Sequence, residues 1–282
     1  CVEGEGVIRT GGRWRAFDGQ HLQFLAGGSG SGGGADYDLI AKMNKPCNIL
    51  LPLNNLFAPS KRRILDRCFA IPGMRVMVDS GCFHYAARHA EAHGVNLVKA
   101  FETRAEEVEG WEELWGYYIQ ILGPIKDRVW GYVEIDFGGI EERRRIRDRL
   151  EREHGLVPMP VFKLTDPMEY LDELLLTHDR ICAGGFSNIL STLRRDIFVK
   201  IWERKQQLKS HCWIHLLGVT WTGRHLLGHP FESMDSSAWT TSSRFGPAKN
   251  IRNLESPLTE DGRMVGMGVE RVERVDQSLS AY

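Results

Sequence analysis

Short apolar runs alternate with longer segments of helical periodicity from about residue 47 onward, and this alternation constrains the fold more than any other feature. The apolar runs are nearly continuous, which is typical of strands buried on both faces. There are about seven of them: CNILLP, RVMVDSG, VWGYVEID, VPMPVFKL, RICAGGF, CWIHLLGV and ESMDSSAW. The helical segments are SKRRILDRCFA, WEELWGYYIQILGPI, GIEERRRIRDRLEREHG, DPMEYLDELLLTH and NILSTLRRDIFVKIWERKQQLK. This repetition predicts an α/β protein whose parallel sheet is covered by helices.

Two parallel architectures fit this repetition, an open doubly wound sheet and a (β/α)8 TIM barrel. No apolar run is followed by a GxGxxG or GxxxxGK phosphate loop, which weakens the nucleotide-binding open sheet. Chemically distinctive residues end many different runs: Asp79, Asp136, Lys163, Gly184, Gly185, Gly218 and Asp235. A barrel collects the carboxyl ends of its strands at one mouth, where active sites lie. The sequence therefore favours the (β/α)8 barrel.

Three segments are predicted along the chain. Residues 1–26 alternate polar and apolar side chains around Gly-Gly and Asp-Gly pairs, which indicates an N-terminal β-hairpin segment. Residues 27–34, GGSGSGGG, have the composition of a flexible linker. Residues 35–282 then form the barrel, which we expect to be the catalytic domain.

Composition indicates a globular chain with a sizeable core, since 42% of its 282 residues are hydrophobic and 26% are charged. No apolar run approaches the ~20 residues of a membrane helix, and no secretory leader is visible. We therefore expect a cytoplasmic protein with no membrane partner. The six cysteines lack metal-ligand spacing and are expected to be mostly buried thiols: Cys1, Cys47, Cys68, Cys82, Cys182 and Cys212.

The net charge of −1 offers no overall attraction to phosphate, so nucleic-acid binding would need basic residues gathered on one face. The arginine-rich segment EERRRIRDRLERE is a candidate. A solvated helix with charge pairs one turn apart is the favoured interpretation of that segment, ahead of phosphate contact. Further candidates are Arg194, Arg195, Lys200 and the stretch SSRFGPAKNIRN.

Five motifs in order resemble the tRNA-guanine transglycosylase family. DSGCFH is similar to that family's DSGGFQ, AGGF to its base-binding glycine turn, and HLLGV to its LMGVG. SMDSSAW resembles the strand that carries its nucleophile, and NIRN recurs after it. The resemblance covers roughly residues 45 to 255 and implies the same (β/α)8 fold.

The resemblance implies a base exchange on a ribose through an oxocarbenium-like transition state, for which two carboxyl groups are wanted. Asp235 would attack C1′ and hold a covalent glycosyl intermediate. Asp79 would deprotonate the incoming 7-deazaguanine.

The resemblance also implies a pocket for a guanine-like base. Asp136 would accept hydrogen bonds from the ring N–H and the exocyclic amine. Gly184 and Gly185 would let backbone amides approach the base carbonyl, and Phe83 and Leu217 would sandwich the ring. Gly218 would keep the pocket floor thin.

Several departures from the family bear on its substrate. The zinc-ligand motif expected after NIRN is missing, so we expect no metal and no zinc subdomain, and no cofactor is implied. Lys163 stands where the family has an amide that reads the base, and His84 replaces a glutamine. Ser236, Ser237 and Trp239 replace residues that hold a tRNA loop. These features are more similar to the DpdA branch, which inserts 7-deazaguanine derivatives such as preQ0 into DNA and includes phage-encoded members; a phage protein would act in the host cytoplasm.

The expected partner is therefore DNA, with tRNA as the alternative polymer. Arg244, Lys249 and Arg252 are candidate phosphate contacts, and Trp221 and Trp239 are candidate stacking platforms for an unstacked base. Three other functions stay open: a zinc-free tRNA-guanine transglycosylase, a non-catalytic binder of modified guanine or nucleic acid, and a barrel hydrolase acting on free nucleosides.

Overall fold

Ten strands are present in the computed structural model, which describes residues 7–10, 13–16, 22–26, 47–185, 191–219, 229 and 231–236. They are β1 (Val7–Thr10), β2 (Arg13–Ala16), β3 (Leu22–Ala26), β4 (Asn48–Pro52), β5 (Arg75–Asp79), β6 (Gly131–Tyr132), β7 (Val161–Lys163), β8 (Arg180–Gly184), β9 (Trp213–Leu216) and β10 (Ser233–Ser236). The first two strands pair with each other in antiparallel fashion and form a sheet of their own.

Strands β3 to β10 form one sheet in which every neighbouring pair is parallel. A parallel bridge between Val133 and Met159 joins the β6 end of the sheet to the β7 end. Two hydrogen bonds support this seam, from Met159 N–H to the Tyr132 carbonyl at 2.8 Å and from Glu134 N–H to the Met159 carbonyl at 3.0 Å. The eight strands follow one another in sequence order around a closed barrel, which confirms the predicted (β/α)8 fold.

Seven helices flank the barrel strands within the described part of the chain. They are α1 (Pro59–Ala70), α2 (Cys82–His93), α3 (Leu97–Glu102), α4 (Trp111–Leu122), α5 (Ile140–His154), α6 (Met168–Thr177) and α7 (Ser191–Gln207), with short 3-10 turns at Leu53–Leu56 and Ala105–Glu107. All five predicted helical segments and all seven predicted strands are confirmed. Helices α2 and α3 are additional; α2 begins directly after the DSG motif and ends at Gly94, which has a left-handed φ of 63°.

The predicted boundary between an N-terminal segment, residues 1–26, and a barrel beginning at residue 35 is wrong at one strand. The hairpin prediction holds for β1 and β2. Strand β3, however, pairs in parallel with both β4 and β10 and is the first strand of the barrel. Strand β3 has an alternating pattern because Phe24 and Ala26 point into the barrel core. The same pattern is typical of a hairpin strand, and the strands that pair with β3 lie far along the chain, so the sequence did not reveal its place in the barrel.

The barrel interior is filled by side chains from all around the sheet: Phe24, Ala26, Leu50, Met77, Trp130, Val133, Met159, Val161, Cys182 and Trp213. Its floor lies at the amino ends of the strands. There the guanidinium of Arg180 lies 3.9 Å from the Trp130 ring centroid and 5.9 Å from that of Trp213, and it donates to the Trp130 carbonyl. The described side chains therefore fill the barrel at this end, and the opposite end, at the carboxyl ends of the strands, is where active sites of such barrels lie.

Four of the five cysteines in the described residues are buried, as expected: Cys68, Cys82, Cys182 and Cys212. Cys47 is partly buried, and burial raises its pKa to about 12. Cys1 lies outside the described residues. Across the same described ranges, every helix is too short or too polar to cross a membrane.

Candidate active site at the barrel mouth

Asp79 is the last residue of β5, and a tight turn leads from it into α2. Its Oδ2 accepts a hydrogen bond from the Gly81 N–H at 3.1 Å. Gly81 has a φ of +77°, and a Cβ there would lie 3.4 Å from the backbone nitrogen of Asn54. Glycine suits this position because other residues are strained at such a φ. The DSG motif thus folds the chain back onto its own carboxylate and holds Asp79 at the rim.

Asp136 follows β6 at the same end of the barrel, and its side chain is partly exposed. Among the described residues, none donates a hydrogen bond to its carboxylate. Its backbone carbonyl, in contrast, accepts a hydrogen bond from the Lys163 ammonium. Asp136 therefore has a fixed backbone and a carboxylate available for a ligand.

Lys163 is the last residue of β7, and its backbone is held by the loop that follows. Its N–H donates to Asp166 Oδ2 at 2.7 Å, and Asp166 Oδ1 accepts from the buried Arg143 at 2.6 Å. The ammonium also lies 5.4 Å from the Phe101 ring centroid. The sequence prediction placed Lys163 beside the base, and the structure brings it next to Asp136.

Asp235 lies in β10 and is 4% exposed. Its Oδ1 accepts a hydrogen bond from the Gly218 N–H at 2.9 Å, and His215 Nε2 lies 3.2 Å from the same oxygen. Gly218 is exposed and has a φ of +66°, so its role here is to aim a backbone N–H at Asp235. Across the parts of the chain that the structure describes, no residue hydrogen-bonds to Oδ2 of Asp235.

The three carboxyl groups interact electrostatically. Burial is the largest cause that raises the pKa of Asp79 to about 7, and the negative charges of Asp136 and Asp235 act in the same direction, against the opposing hydrogen bonds from the Gly81 and Ser80 amides. Charges that perturb one another in this way share one region. A carboxyl group that titrates near neutral pH can both accept and donate a proton, which is what general acid–base catalysis requires.

The glycine pair at the end of β8 allows a close approach between strands. A Cβ on Gly184 would lie 3.3 Å from Leu217 Cδ1 and 3.5 Å from Val161 Cγ1. Gly185 is exposed, with a φ of +84°. The predicted base-binding residues Gly184 and Leu217 are therefore in contact with each other, and the backbone at Gly185 is open at the mouth.

Phe83 and His84 lie in the first turn of α2, close to Asp79 in the chain. Phe83 is 52% exposed, which is unusual for a large aromatic residue and excludes simple core packing. His84 is also exposed, and its ring contacts the edge of Tyr85 at a centroid distance of 5.3 Å. An exposed phenyl ring that follows Asp79 closely in the chain offers a stacking surface for a planar ligand.

The arginine-rich segment, α5, has its arginines paired with carboxylates. Each of its six arginines is within ion-pair distance of a carboxylate: Arg143, Arg144, Arg145, Arg147, Arg149 and Arg152. The interpretation as a surface helix with charge pairs one turn apart is confirmed for Arg144, Arg145 and Arg149, while Arg152 pairs with the adjacent Glu153. Arg143 and Arg147 instead turn inward to the buried Glu134.

Several predicted residues lie outside the described part of the chain. These are the phosphate contacts Arg244, Lys249 and Arg252, the platforms Trp221 and Trp239, Ser237 and the linker at 27–34. The side chains of Arg194, Arg195 and Ser236 also lie outside it. Their predicted roles stay predictions.

Three residues of the site were missed by sequence reasoning. Trp213 and His215 on β9 and Ser233 on β10 form a buried hydrogen-bonded chain that ends at Asp235. The available indication was a histidine inside the apolar run CWIHLLGV, since a buried polar side chain needs a partner.

The described residues contain no group of three or more histidine, cysteine or acidic side chains that could hold a metal ion.

Comparison with known proteins gives structural neighbours only. No family model matches the chain, and no curated protein matches it. A protein described as a putative fructose-1,6-biphosphate aldolase from Coccidioides immitis shares 12% identity at a TM-score of 0.47, over 93% of this chain and 86% of that one. A mutant tryptophan synthase alpha-subunit from Pyrococcus furiosus shares 12% identity at a TM-score of 0.46, over 94% and 97%. Similarity this low supports neither a family nor a function for this chain. The fold assignment therefore rests on the strand order and on the bridge between β6 and β7 that closes the barrel.

Proposed function

We propose that this protein is a base-exchange glycosyltransferase that replaces guanine in DNA with a 7-deazaguanine derivative such as preQ0. The observation that carries the proposal is the grouping of Asp79, Asp136 and Asp235 at one end of the barrel, where two of the charges act on the third. These are the three acids that the resemblance to the transglycosylase family singles out, and they lie far apart along the chain, at β5, after β6 and in β10.

Two of these acids support a two-step exchange whose atoms and protons balance. In the first step a carboxylate oxygen of Asp235 bonds to C1′ while the bond from C1′ to N9 of guanine breaks, and the departing guanine takes a proton at N9 from Asp79. In the second step the incoming 7-deazaguanine gives its N9 proton to Asp79, and N9 bonds to C1′ as Asp235 leaves. A pKa near 7 suits Asp79 to both transfers.

The third acid supports recognition of the base. A guanine-like base presents two adjacent donors, its ring N–H and its exocyclic amine, which match the two oxygens of one carboxylate. The carboxylate of Asp136 is not engaged by the described residues around it. The exposed Phe83 ring would stack on the base, and the open backbone at Gly185 would donate a hydrogen bond to the base carbonyl.

DNA is proposed as the polymer because of the sequence departures from the tRNA enzymes, above all Ser236, Ser237 and Trp239 and the missing zinc motif. The target nucleotide must leave its stack before C1′ can reach Asp235, so single-stranded or distorted DNA is expected to react faster than intact duplex.

Our first prediction tests the exchange directly. The protein is incubated with a labelled 7-deazaguanine and with single-stranded DNA, duplex DNA or tRNA, and label in the polymer is counted. Wild type is expected to label DNA, and Asp235→Ala is expected to lower the rate by roughly 10³-fold or more because the covalent step is lost. Asp148→Asn, an exposed acid on α5, is the matched control and is expected to keep the wild-type rate.

Each other outcome has a definite meaning. Label in tRNA alone would replace DNA by tRNA as the polymer. No label in any polymer, with no adduct after denaturation, would contradict the exchange and favour a non-catalytic binder. Release of base from free nucleosides without polymer labelling would indicate a hydrolase.

A further inference from the structure

A buried chain of hydrogen bonds runs up the inner wall of the barrel toward Asp235. Trp213 Nε1 lies 2.6 Å from Ser233 Oγ, and Ser233 Oγ lies 2.9 Å from His215 Nδ1. His215 Nε2 then lies 3.2 Å from Asp235 Oδ1. The chain alternates between β9 and β10, which are paired so that Ser233 is opposite His215.

The direction of these hydrogen bonds is fixed by chemistry. An indole N–H can only donate, so Ser233 Oγ accepts from Trp213. The serine hydroxyl hydrogen then has one acceptor among the described residues, His215 Nδ1, because Ser233 is fully buried and its hydroxyl is bonded there to Trp213 and His215 alone. His215 Nδ1 is thereby the unprotonated nitrogen, and the ring hydrogen is on Nε2, where it faces the Asp235 carboxylate.

The other two arrangements leave a buried group unsatisfied. A ring protonated only at Nδ1 would place the lone pair of Nε2 against the carboxylate of Asp235. A ring protonated at both nitrogens would leave the fully buried Ser233 hydroxyl without an acceptor among the described residues. A buried polar hydrogen without a partner is costly, so the network favours one tautomer.

We propose that His215 is a positioning residue: Ser233 and Trp213 hold it as the Nε2–H tautomer, and together with the Gly218 amide it fixes Oδ1 of Asp235 and leaves Oδ2 as the reacting oxygen. The assignment of the His215 tautomer depends on the hydrogen bonds alone. The assignment of the reacting oxygen rests on the proposed function. Two donors on Oδ1 orient the carboxylate plane and stabilise the carboxylate as it leaves C1′ in the second step.

The immediate surroundings of His215 support a fixed ring. Phe24 meets it edge-on at a centroid distance of 5.4 Å and an interplanar angle of 87°. The imidazole therefore has packing on one side and hydrogen bonds at both nitrogens, and it cannot rotate without losing all three contacts.

Our second prediction begins with a measurement that does not depend on activity. Long-range proton–nitrogen NMR on the 15N-labelled protein reports the tautomer of each histidine, and the His215 signals are assigned by their loss in His215→Gln. We expect an Nε2–H imidazole in wild type and loss of that single tautomer in Ser233→Ala. A ring protonated at Nδ1 or at both nitrogens in wild type would overturn the inference.

The same prediction continues with the labelling assay. Because His215→Phe removes the donor but keeps a ring of similar size, the maximal rate should fall roughly 10–100-fold while KM for DNA changes little. His215→Gln keeps a donor and should recover part of that rate, and Ser233→Ala should fall between. His211→Gln, an exposed histidine just before β9, is the matched control.

The outcomes separate the two claims. An active His215→Phe with the rate of His211→Gln would overturn the positioning role and leave the exchange standing. A wild-type protein that labels no polymer would contradict the exchange, and the NMR result would still decide whether His215 is held against Asp235. Should His215→Phe fail to fold, Ser233→Ala and His215→Gln carry the test.

Discussion

Asp79 occupies a position in which its ionised form is disfavoured. Burial and two neighbouring carboxylates favour the protonated acid, and only the amides of Gly81 and Ser80 favour the anion. A protein gains nothing in stability from such an arrangement, because placing like charges together lowers the free energy of unfolding. A carboxyl group whose pKa is raised by burial and by neighbouring negative charges is typical of a site that binds or acts on a ligand.

Our third prediction follows from the direction of this shift. The pKa of Asp79 is about 7 in the folded protein and near 3.8 in the unfolded protein. Its favourable contribution to the free energy of unfolding is therefore present below pH 4 and is lost as pH rises toward 7. Asp79→Asn keeps an acceptor for the Gly81 amide but cannot ionise. Relative to wild type, this variant should gain roughly 1–4 kcal/mol in unfolding free energy between pH 4 and pH 8.

Urea denaturation at a series of pH values measures this difference. Asp148→Asn is the control, because an exposed carboxyl group should show little pH-dependent gain. A flat difference between Asp79→Asn and wild type across the range would show that the carboxyl group of Asp79 titrates normally.

At the residue scale, the three acids could be predicted from the sequence, but the residues that hydrogen-bond to Asp235 could not. An acid that follows an apolar run is visible in the sequence, so Asp79, Asp136 and Asp235 could be found. His215 was not found as a site residue, because its hydrogen-bond partners come from a strand about twenty residues away and register cannot be read from either segment alone. The predicted role of Gly218 was incomplete for the same reason, since its N–H reaches Asp235 only in the folded barrel.

Helix α5 shows how one element supports the mouth without contributing to it. Arg143 is fully buried, and it donates to the Val161 carbonyl and to Asp166, both at 2.6 Å. It also lies 3.9 Å from Glu134, whose Oε1 accepts the Val161 N–H at 2.7 Å. The helix is thereby tied to both ends of β7, and the loop that holds Lys163 depends on it.

Our fourth prediction compares two arginines on this helix. Arg143→Met leaves Asp166 without its buried cation and should lower the unfolding free energy by roughly 3–5 kcal/mol. Arg145→Met removes a half-exposed arginine that pairs with Glu106 and Glu142 and should cost at most about 1 kcal/mol. The measurement is chemical denaturation of both variants beside wild type. Similar losses in the two variants would mean that burial does not distinguish these ion pairs.

At the element scale, periodicity predicted seven strands and five helices, because each has an apolar pattern that is visible locally. Helix α2 is additional because the residues on its buried face, Cys82, Tyr85, Ala86 and His89, are small or partly polar and do not form an apolar pattern in the sequence. Strand β3 was placed in the wrong unit because a glycine-rich stretch follows it, and such composition usually marks a boundary between units.

The whole molecule is polarised along the barrel axis. Arginine and tryptophan side chains close the floor, apolar side chains and Phe24 fill the middle, and carboxyl groups lie at the mouth. Among the described residues, the mouth is therefore the accessible end of the barrel, where Phe83 is exposed and Asp136 is partly exposed. In the closed barrel, strands β3 and β4 lie between the last strand, which carries Asp235, and the third barrel strand, which carries Asp79, so the two acids lie in one sheet and their charges interact.

Our fifth prediction concerns this closure. A chain that starts at residue 35, the boundary expected from sequence, lacks β3 and would expose the facing edges of β4 and β10. It also lacks Phe24, which is fully buried in the barrel centre. Losing a buried phenylalanine alone typically costs about 3–5 kcal/mol, against a total stability of roughly 5–15 kcal/mol for an ordinary domain. We expect this chain to show no cooperative unfolding transition in urea, and to aggregate through its unpaired strand edges.

A chain that starts at residue 17 is the matched control for that experiment. It lacks the β1–β2 hairpin, whose two strands form a separate sheet, and it retains all eight barrel strands. Because its barrel can still close, it should unfold in one cooperative transition and keep the raised pKa of Asp79, which carboxyl NMR can follow. Cooperative unfolding of the chain that starts at residue 35 would show that seven strands suffice and that β3 is not required for the barrel. Loss of the transition in both chains would show instead that the hairpin is part of the folding unit.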